Sequence, residues 1–182
     1  MTFFPNALSA CSQTLFRRLH EQLNWGQYQV RVFGRVHPTP RLQAWHGDPG
    51  TDYGYAGLRL SPAPWTGDLT AVRAAINRLL HAQFNAVLAN LYRDGTDHMG
   101  WHADDEPELG PQPMIASLSF GAERRFLLRH RKSKQQIELN LSCGSLLVMG
   151  GALQAHWQHR VPKAARIPHP RINLTFRTIE PA

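Results

Sequence analysis

His102-Ala103-Asp104 sets an imidazole and a carboxylate two residues apart. In extended backbone, positions i and i+2 project to the same side, so one strand could offer both groups to one metal ion. A second source of imidazole stands late in the chain, in His156-Trp157-Gln158-His159. Two histidines and one carboxylate make the facial triad of non-haem iron oxygenases, which leaves room on the metal for a bidentate cosubstrate and dioxygen. A zinc hydrolase that holds a single water has no need of that opening. Either histidine of the late pair could complete the triad.

The segment Arg171-Ile172-Asn173-Leu174-Thr175-Phe176-Arg177 alternates strictly. As a strand it presents Arg171, Asn173, Thr175 and Arg177 on one face and Ile172, Leu174 and Phe176 on the other. Such a polar stripe is either a solvent face or the lining of an anion pocket. Its ends lie roughly 20 Å apart at the usual strand rise, so two inward arginines could flank a dicarboxylate. Guanidinium groups suit that task because they grip carboxylates through paired, charge-assisted hydrogen bonds.

These residues need a frame. Leu15, Phe16, Leu19 and Leu23 recur at helical spacing within residues 9–23, with Ser9 or Ser12 as the cap. Leu69, Val72, Ile76, Leu79 and Leu80 mark a second helix by the same logic. Between them, residues 29–33, 43–45 and 53–58 read as short strands, separated by Pro38-Thr39-Pro40 and Gly47-Asp48-Pro49-Gly50. From Asn85 onward the pattern predicts strands over 86–92, 114–120, 125–129, 136–141, 145–149 and 171–179. Their spacing points to antiparallel sheet closing into a jelly roll, with the two helices buttressing one sheet. The expected fold class is α+β with a β core.

A chain of 182 residues is one domain by size, and no linker or repeat divides it. Its 20 Lys and Arg against 13 Asp and Glu give a formal charge of +7, which favours a polyanionic partner. Cys11 and Cys143 are too few for a disulfide framework and form no C-x-x-C pair, so a reducing, intracellular compartment is expected. The first 24 residues lack the basic and apolar regions of a secretory signal, and no run of about 18 apolar residues suggests a membrane span. A monomer is the default expectation.

The sequence resembles the AlkB-type dioxygenases, especially the branch that dealkylates nucleic acid. The resemblance is carried by Asn90-Leu91-Tyr92-Arg93-Asp94-Gly95, Trp101-His102-Ala103-Asp104-Asp105-Glu106, Ile115-Ala116-Ser117-Leu118-Ser119-Phe120-Gly121-Ala122, and the late histidine and arginine motifs, all in order. It implies a jelly-roll (double-stranded β-helix) catalytic core over residues 85–182, with residues 1–84 supplying nucleotide recognition and the buttressing helices. It implies that His102, Asp104 and His159 ligate iron(II), His156 being excluded, and that Asn90, Tyr92, Arg171, Thr175 and Arg177 contact 2-oxoglutarate. Asn173 shares their face. The reaction implied consumes O2 and 2-oxoglutarate, oxidises the N-methyl group of N1-methyladenine or N3-methylcytosine, and releases succinate, CO2 and formaldehyde.

A methyl group on a Watson-Crick edge is hidden inside a duplex, so the base must be extruded and held between flat side chains. By the same resemblance Tyr53 touches the polar edge of the base, Tyr55 stacks on it opposite His102, and Asp105 or Glu106 reads its exocyclic group. Phe33, in Arg31-Val32-Phe33-Gly34-Arg35, stands where the family carries an apolar wedge for the gap left by the base, and Arg41 resembles a lining residue. Two basic turns, Arg129-His130-Arg131-Lys132-Ser133-Lys134 and Lys163 with Arg166, are candidates for phosphate contact. The expected substrate is alkylated DNA, single- or double-stranded, with RNA, or else a protein or small molecule, as the alternative.

Overall fold

The structure is a computed structural model and describes residues 1–32, 34–55 and 57–180. In chain order it comprises β1 (Thr2–Phe4), α1 (Ser12–Gln22), β2 (Gln29–Val32), β3 (Arg35–Pro38), β4 (Leu42–Gly47), β5 (Tyr53–Tyr55), β6 (Leu58–Leu60), α2 (Gly67–Leu80) and β7 (Ala86–Tyr92). These are followed by β8 (Met99–His102), β9 (Ile115–Gly121), β10 (Arg124–His130), β11 (Gln136–Leu141), β12 (Leu146–Met149), the single turn α3 (Leu153–His156), β13 (Trp157–Val161) and β14 (Arg171–Arg177).

Two antiparallel sheets make the β core. The larger runs β1-β12-β9-β14-β7-β4 and the smaller β11-β10-β13-β8, while β2-β3 and β5-β6 are separate hairpins. The α+β jelly roll expected from the strand spacing is therefore the fold observed. Period-two alternation explains how it closes. Val87, Ala89 and Leu91 of β7, Ala116, Leu118 and Phe120 of β9, and Ile172, Leu174 and Phe176 of β14 pack with Leu19, Leu69, Val72 and Ile76 of the two helices. The alternate residues Leu88, Tyr92 and Ile115 meet Phe126, Leu128 and Val161 from the smaller sheet. Each fully buried Leu, Ile or Phe contributes about 1.5–3 kcal/mol, so the helix layer and the inter-sheet layer both hold β14 in place.

Several boundaries differ from the sequence reading. Residues Ser9–Cys11 form a 3-10 turn, α1 starts at Ser12, and Cys11 stands at the cap without a side-chain capping bond. In α2 the Thr66 hydroxyl caps the Leu69 N–H at 3.3 Å, and Leu79, at the edge of the apolar stripe, stays 56% exposed. The single strand expected over 53–58 is a hairpin, turned at Gly57 with φ +78°, a left-handed conformation that glycine adopts without Cβ strain. β13 was not anticipated, since Trp157-Gln158-His159-Arg160-Val161 lacks an apolar run. Most consequentially, β8 ends at His102, so His102 and Asp104 do not share a strand. The chain leaves the sheet there, and the Asp104 N–H is taken instead by the Gln154 side chain at 3.0 Å. Among the described residues no helix is long and apolar enough to cross a membrane.

Candidate active site

β14 lies between β7 and β9, and all seven of its residues are buried. Its apolar face meets the helices; its polar face lines a cleft between the sheets. Arg171 donates from Nη2 to the Ser119 hydroxyl at 2.9 Å. The Asn173 amide donates to the Ser117 hydroxyl at 2.8 Å and to the Leu118 carbonyl at 2.9 Å, and the Thr175 hydroxyl donates to Asn173 Oδ1 at 2.9 Å. Ser117 and Ser119 alternate in β9 on the inward face, a period-two signal whose partners are defined only once β9 lies beside β14. Beside them on β7, Tyr92 lies under Arg171, whose guanidinium carbon is 5.1 Å from the ring centre. Asn90 Oδ1 accepts from Arg41 Nε at 2.7 Å and from Gln43 Nε2 at 3.1 Å. Two buried cations are thus built into one wall, and Nε and Nη1 of both Arg171 and Arg177 are buried without a hydrogen-bond partner. Unpaired donors of that kind are costly in an interior, and a bound anion satisfies them.

Facing this wall is a cluster on the smaller sheet. His102 of β8 sits opposite His159 of β13 in register, with ring centres 4.2 Å apart. Asp104 reaches back from the loop so that its Oδ2 is 3.7 Å from His159 Nε2. One ligand atom from each of the three lies within 4.8 Å of the other two. His102 Nδ1 is 2.9 Å from the Gly100 carbonyl. A carbonyl only accepts, so Nδ1 carries the proton and Nε2 keeps its lone pair for a metal. His159 is buried and packs on Phe126 with ring centres 5.2 Å apart, whereas His156 is exposed on α3.

The electrostatics are of one piece. Burial works against a charged Asp104, yet the Arg177 guanidinium, with Nη2 at 2.7 Å, holds its carboxyl down at about 2. Burial, with the Arg177 cation nearby, keeps His159 neutral, pulled down to about 3. Burial would likewise lower Arg177, but Asp104 beside it holds it above its usual value. Burial, with Arg124 nearby, draws Arg171 down to about 10. An ionised carboxylate between neutral imidazoles is the protonation state a metal ligand set requires. The donor set and the orphaned arginine nitrogens together fit a divalent metal with an anionic cosubstrate.

The candidate base-contact residues divide. Tyr53 is buried, stacks on Trp45 at 4.9 Å and lines the cleft, and burial raises its hydroxyl above the usual value. Glu106 also lines the cleft; burial raises its carboxyl despite Arg177, and its Oε2 is buried without a partner. Arg41 lines it too, through Asn90. Asp105 does not: it is exposed and bonded to Arg131 at 2.8 Å. The Tyr55 side chain and Phe33 lie outside the described residues. Gln154, missed in the sequence, is 2% exposed and ties the Asp104 backbone to α3, just before β13. No local pattern marks it, because its partner is 50 residues away.

The 2OG-Fe(II) oxygenase superfamily matches this chain over residues 1–177. The chain is 43% identical over 178 residues to the DNA oxidative demethylase ALKBH2 of Mus musculus, covering 92% of this chain and 74% of that protein. It is 42% identical to the Homo sapiens counterpart, covering 91% and 67%. It is also 43% identical to alpha-ketoglutarate-dependent dioxygenase alkB homolog 3 of Mus musculus, covering 92% and 61%. Among solved structures, OsALKBH1 superposes with a TM-score of 0.65 over 97% of this chain and 95% of that one, at 16% identity, a likeness of fold alone. With the jelly roll, the cluster of two histidines and an aspartate and the arginine-lined cleft all in one molecule, this chain belongs to the 2OG-Fe(II) oxygenase superfamily, as an AlkB-type dioxygenase.

Proposed function

We propose that this chain removes methyl groups from N1-methyladenine and N3-methylcytosine in DNA, with His102, Asp104 and His159 holding iron(II). Arg171 and Arg177 bind the carboxylates of 2-oxoglutarate, with Asn90, Tyr92, Asn173 and Thr175 completing the pocket. The observation that carries this reading is the juxtaposition of a three-residue ligand cluster with two buried arginines whose Nε and Nη1 atoms lack partners. When bound, iron(II), 2-oxoglutarate and O2 supply the oxidation that turns an N-methyl group into an unstable hydroxymethyl group, which leaves as formaldehyde.

The chain's own residues do the rest. Arg177 keeps Asp104 ionised and aimed at the imidazoles. Phe126 excludes water from the side of His159. Tyr53 and Glu106 wall the base side of the cleft, and the unpaired Glu106 Oε2 is an acceptor for an exocyclic amine. Residues 85–182 form the catalytic core in this reading, and residues 1–84 supply Tyr53 and Arg41 to the recognition side. The relatives named as DNA oxidative demethylases support DNA as the substrate.

The test is formaldehyde release from oligonucleotides carrying either lesion, as single-stranded DNA, duplex DNA and RNA, with iron(II), ascorbate and 2-oxoglutarate. Turnover on DNA that disappears in His102→Ala is expected. Absence of turnover from all of these in protein that still binds metal and 2-oxoglutarate would refute the substrate assignment.

A further inference from the structure

Alternation places a second set of groups on the opposite side of the smaller sheet. His102 and His159 face the cleft, so their chain neighbours Trp101 and Arg160 face outward. Leu128 pairs with His159, so Arg129 next to it faces outward as well. The three meet there: the Arg129 guanidinium carbon lies 4.3 Å from the Trp101 ring centre, and that of Arg160 lies 4.6 Å from it. Among the described residues neither arginine has a carboxylate within ion-pair reach, although Arg125 on the same strand pairs with Glu138 and Arg131 pairs with Asp105. Arg129 makes only a long contact of 3.4 Å to Gln158 Oε1, and Arg160 Nε is buried without a partner.

We propose that this outer face is a track for the DNA strand that carries the target base, with Arg129 and Arg160, braced on Trp101, as its phosphate-binding groups. The proposal rests on the DNA reading above. Two guanidinium groups gathered on one indole repel each other, and among the described residues no acid compensates them; a polyanion does. The indole attracts each cation and holds it, so part of the side-chain ordering that phosphate binding requires is met on folding. With its ring occupied by two cations, Trp101 acts as a brace and not as a platform for stacked bases.

The route is short. β8 is the edge strand of its sheet, so a strand leaving the cleft beside His102 reaches the outer face without crossing another strand. There Arg129 and Arg160 join two basic turns. Lys132 and Lys134 follow β10, and Lys163 follows β13.

Salt dependence separates this track from an ordinary solvated face. Affinity for single strands falls with salt at a log–log slope of about −0.7 per neutralised phosphate. Binding of a dye-labelled single-stranded DNA carrying one N1-methyladenine is followed by anisotropy across a salt series. Arg129→Gln/Arg160→Gln is expected to flatten the slope by about 1.4, the loss of two phosphate contacts. Trp101→Leu is expected to weaken binding while keeping the wild-type slope, since both charges remain. A double variant with the wild-type slope overturns the proposal. Formaldehyde release by wild-type protein from the same oligonucleotide keeps the two readings apart. If wild type turns it over and the double variant keeps the slope, only the track fails; if wild type neither binds it nor turns it over, the DNA reading fails and the track with it.

Discussion

At the scale of single residues, the active-site reading turns on who holds Asp104. The sequence suggested that one strand would aim both members of the His-x-Asp pair. In the structure the strand ends at His102, and Gln154 and Arg177 take over the aiming, one at the backbone and one at the carboxylate. Groups that orient a metal ligand without touching the metal typically govern 10–100-fold in affinity. Gln154→Met keeps the volume and removes the acceptor, so manganese(II) affinity measured calorimetrically is expected to fall by about that factor, while the buried Asp104 N–H left unpaired costs the metal-free fold about 1–3 kcal/mol. An unchanged affinity would mean that the loop holds its course without the amide. The ligand types were legible because chemistry restricts them to few residues; Gln154 was not, because its role exists only once α3 and the loop after β8 are folded side by side.

At the scale of elements, β14 shows why the anion wall was legible. Its period of two is complete over seven residues, and each face has one kind of environment, so reading the alternation was enough to assign the faces. β13 lacks that contrast, since it carries polar residues toward both the cleft and the outer surface, and β8 is four residues long with an irregular register against β13, so pattern alone could not mark them as sheet. The apolar face of β14 also predicts a cost. Phe176 is fully buried, with Trp65 at 6.4 Å and Phe84 at 6.3 Å between ring centres. Phe176→Ala is expected to lose about 3–5 kcal/mol of unfolding free energy in urea; a loss under about 1 kcal/mol would mean that α2 settles into the space, against the close packing argued here.

At the scale of the whole molecule, the buried neutral His159 links stability to pH. Its folded value, about 3, lies below the usual 6.5 because of burial and the nearby Arg177 cation. Between these values the unfolded chain binds a proton that the folded chain refuses, so metal-free protein is most stable above about pH 6.5 and loses stability as the pH falls, by up to about 1.4 kcal/mol per pH unit from this group. Asp104 acts lower: with its folded value at about 2 and its usual one at 3.8, its contribution is complete above 3.8 and is lost only toward pH 2. Urea unfolding of metal-free protein at pH 5.5 is expected to give about 1 kcal/mol less than at pH 7, and His159→Gln to flatten the difference; an equally steep dependence in that variant would place the cause elsewhere. The placement of the two walls has one more consequence, in the order in which the molecule opens. β14 is paired on both sides and covered on both faces, so its amides belong to the last part of the fold to exchange with solvent. β8 is paired on one side only, and Asp104 stands beyond its end. Transient fraying of that one edge can therefore let a metal ion enter or leave while the arginine wall keeps its spacing, and metal exchange need not wait for global unfolding.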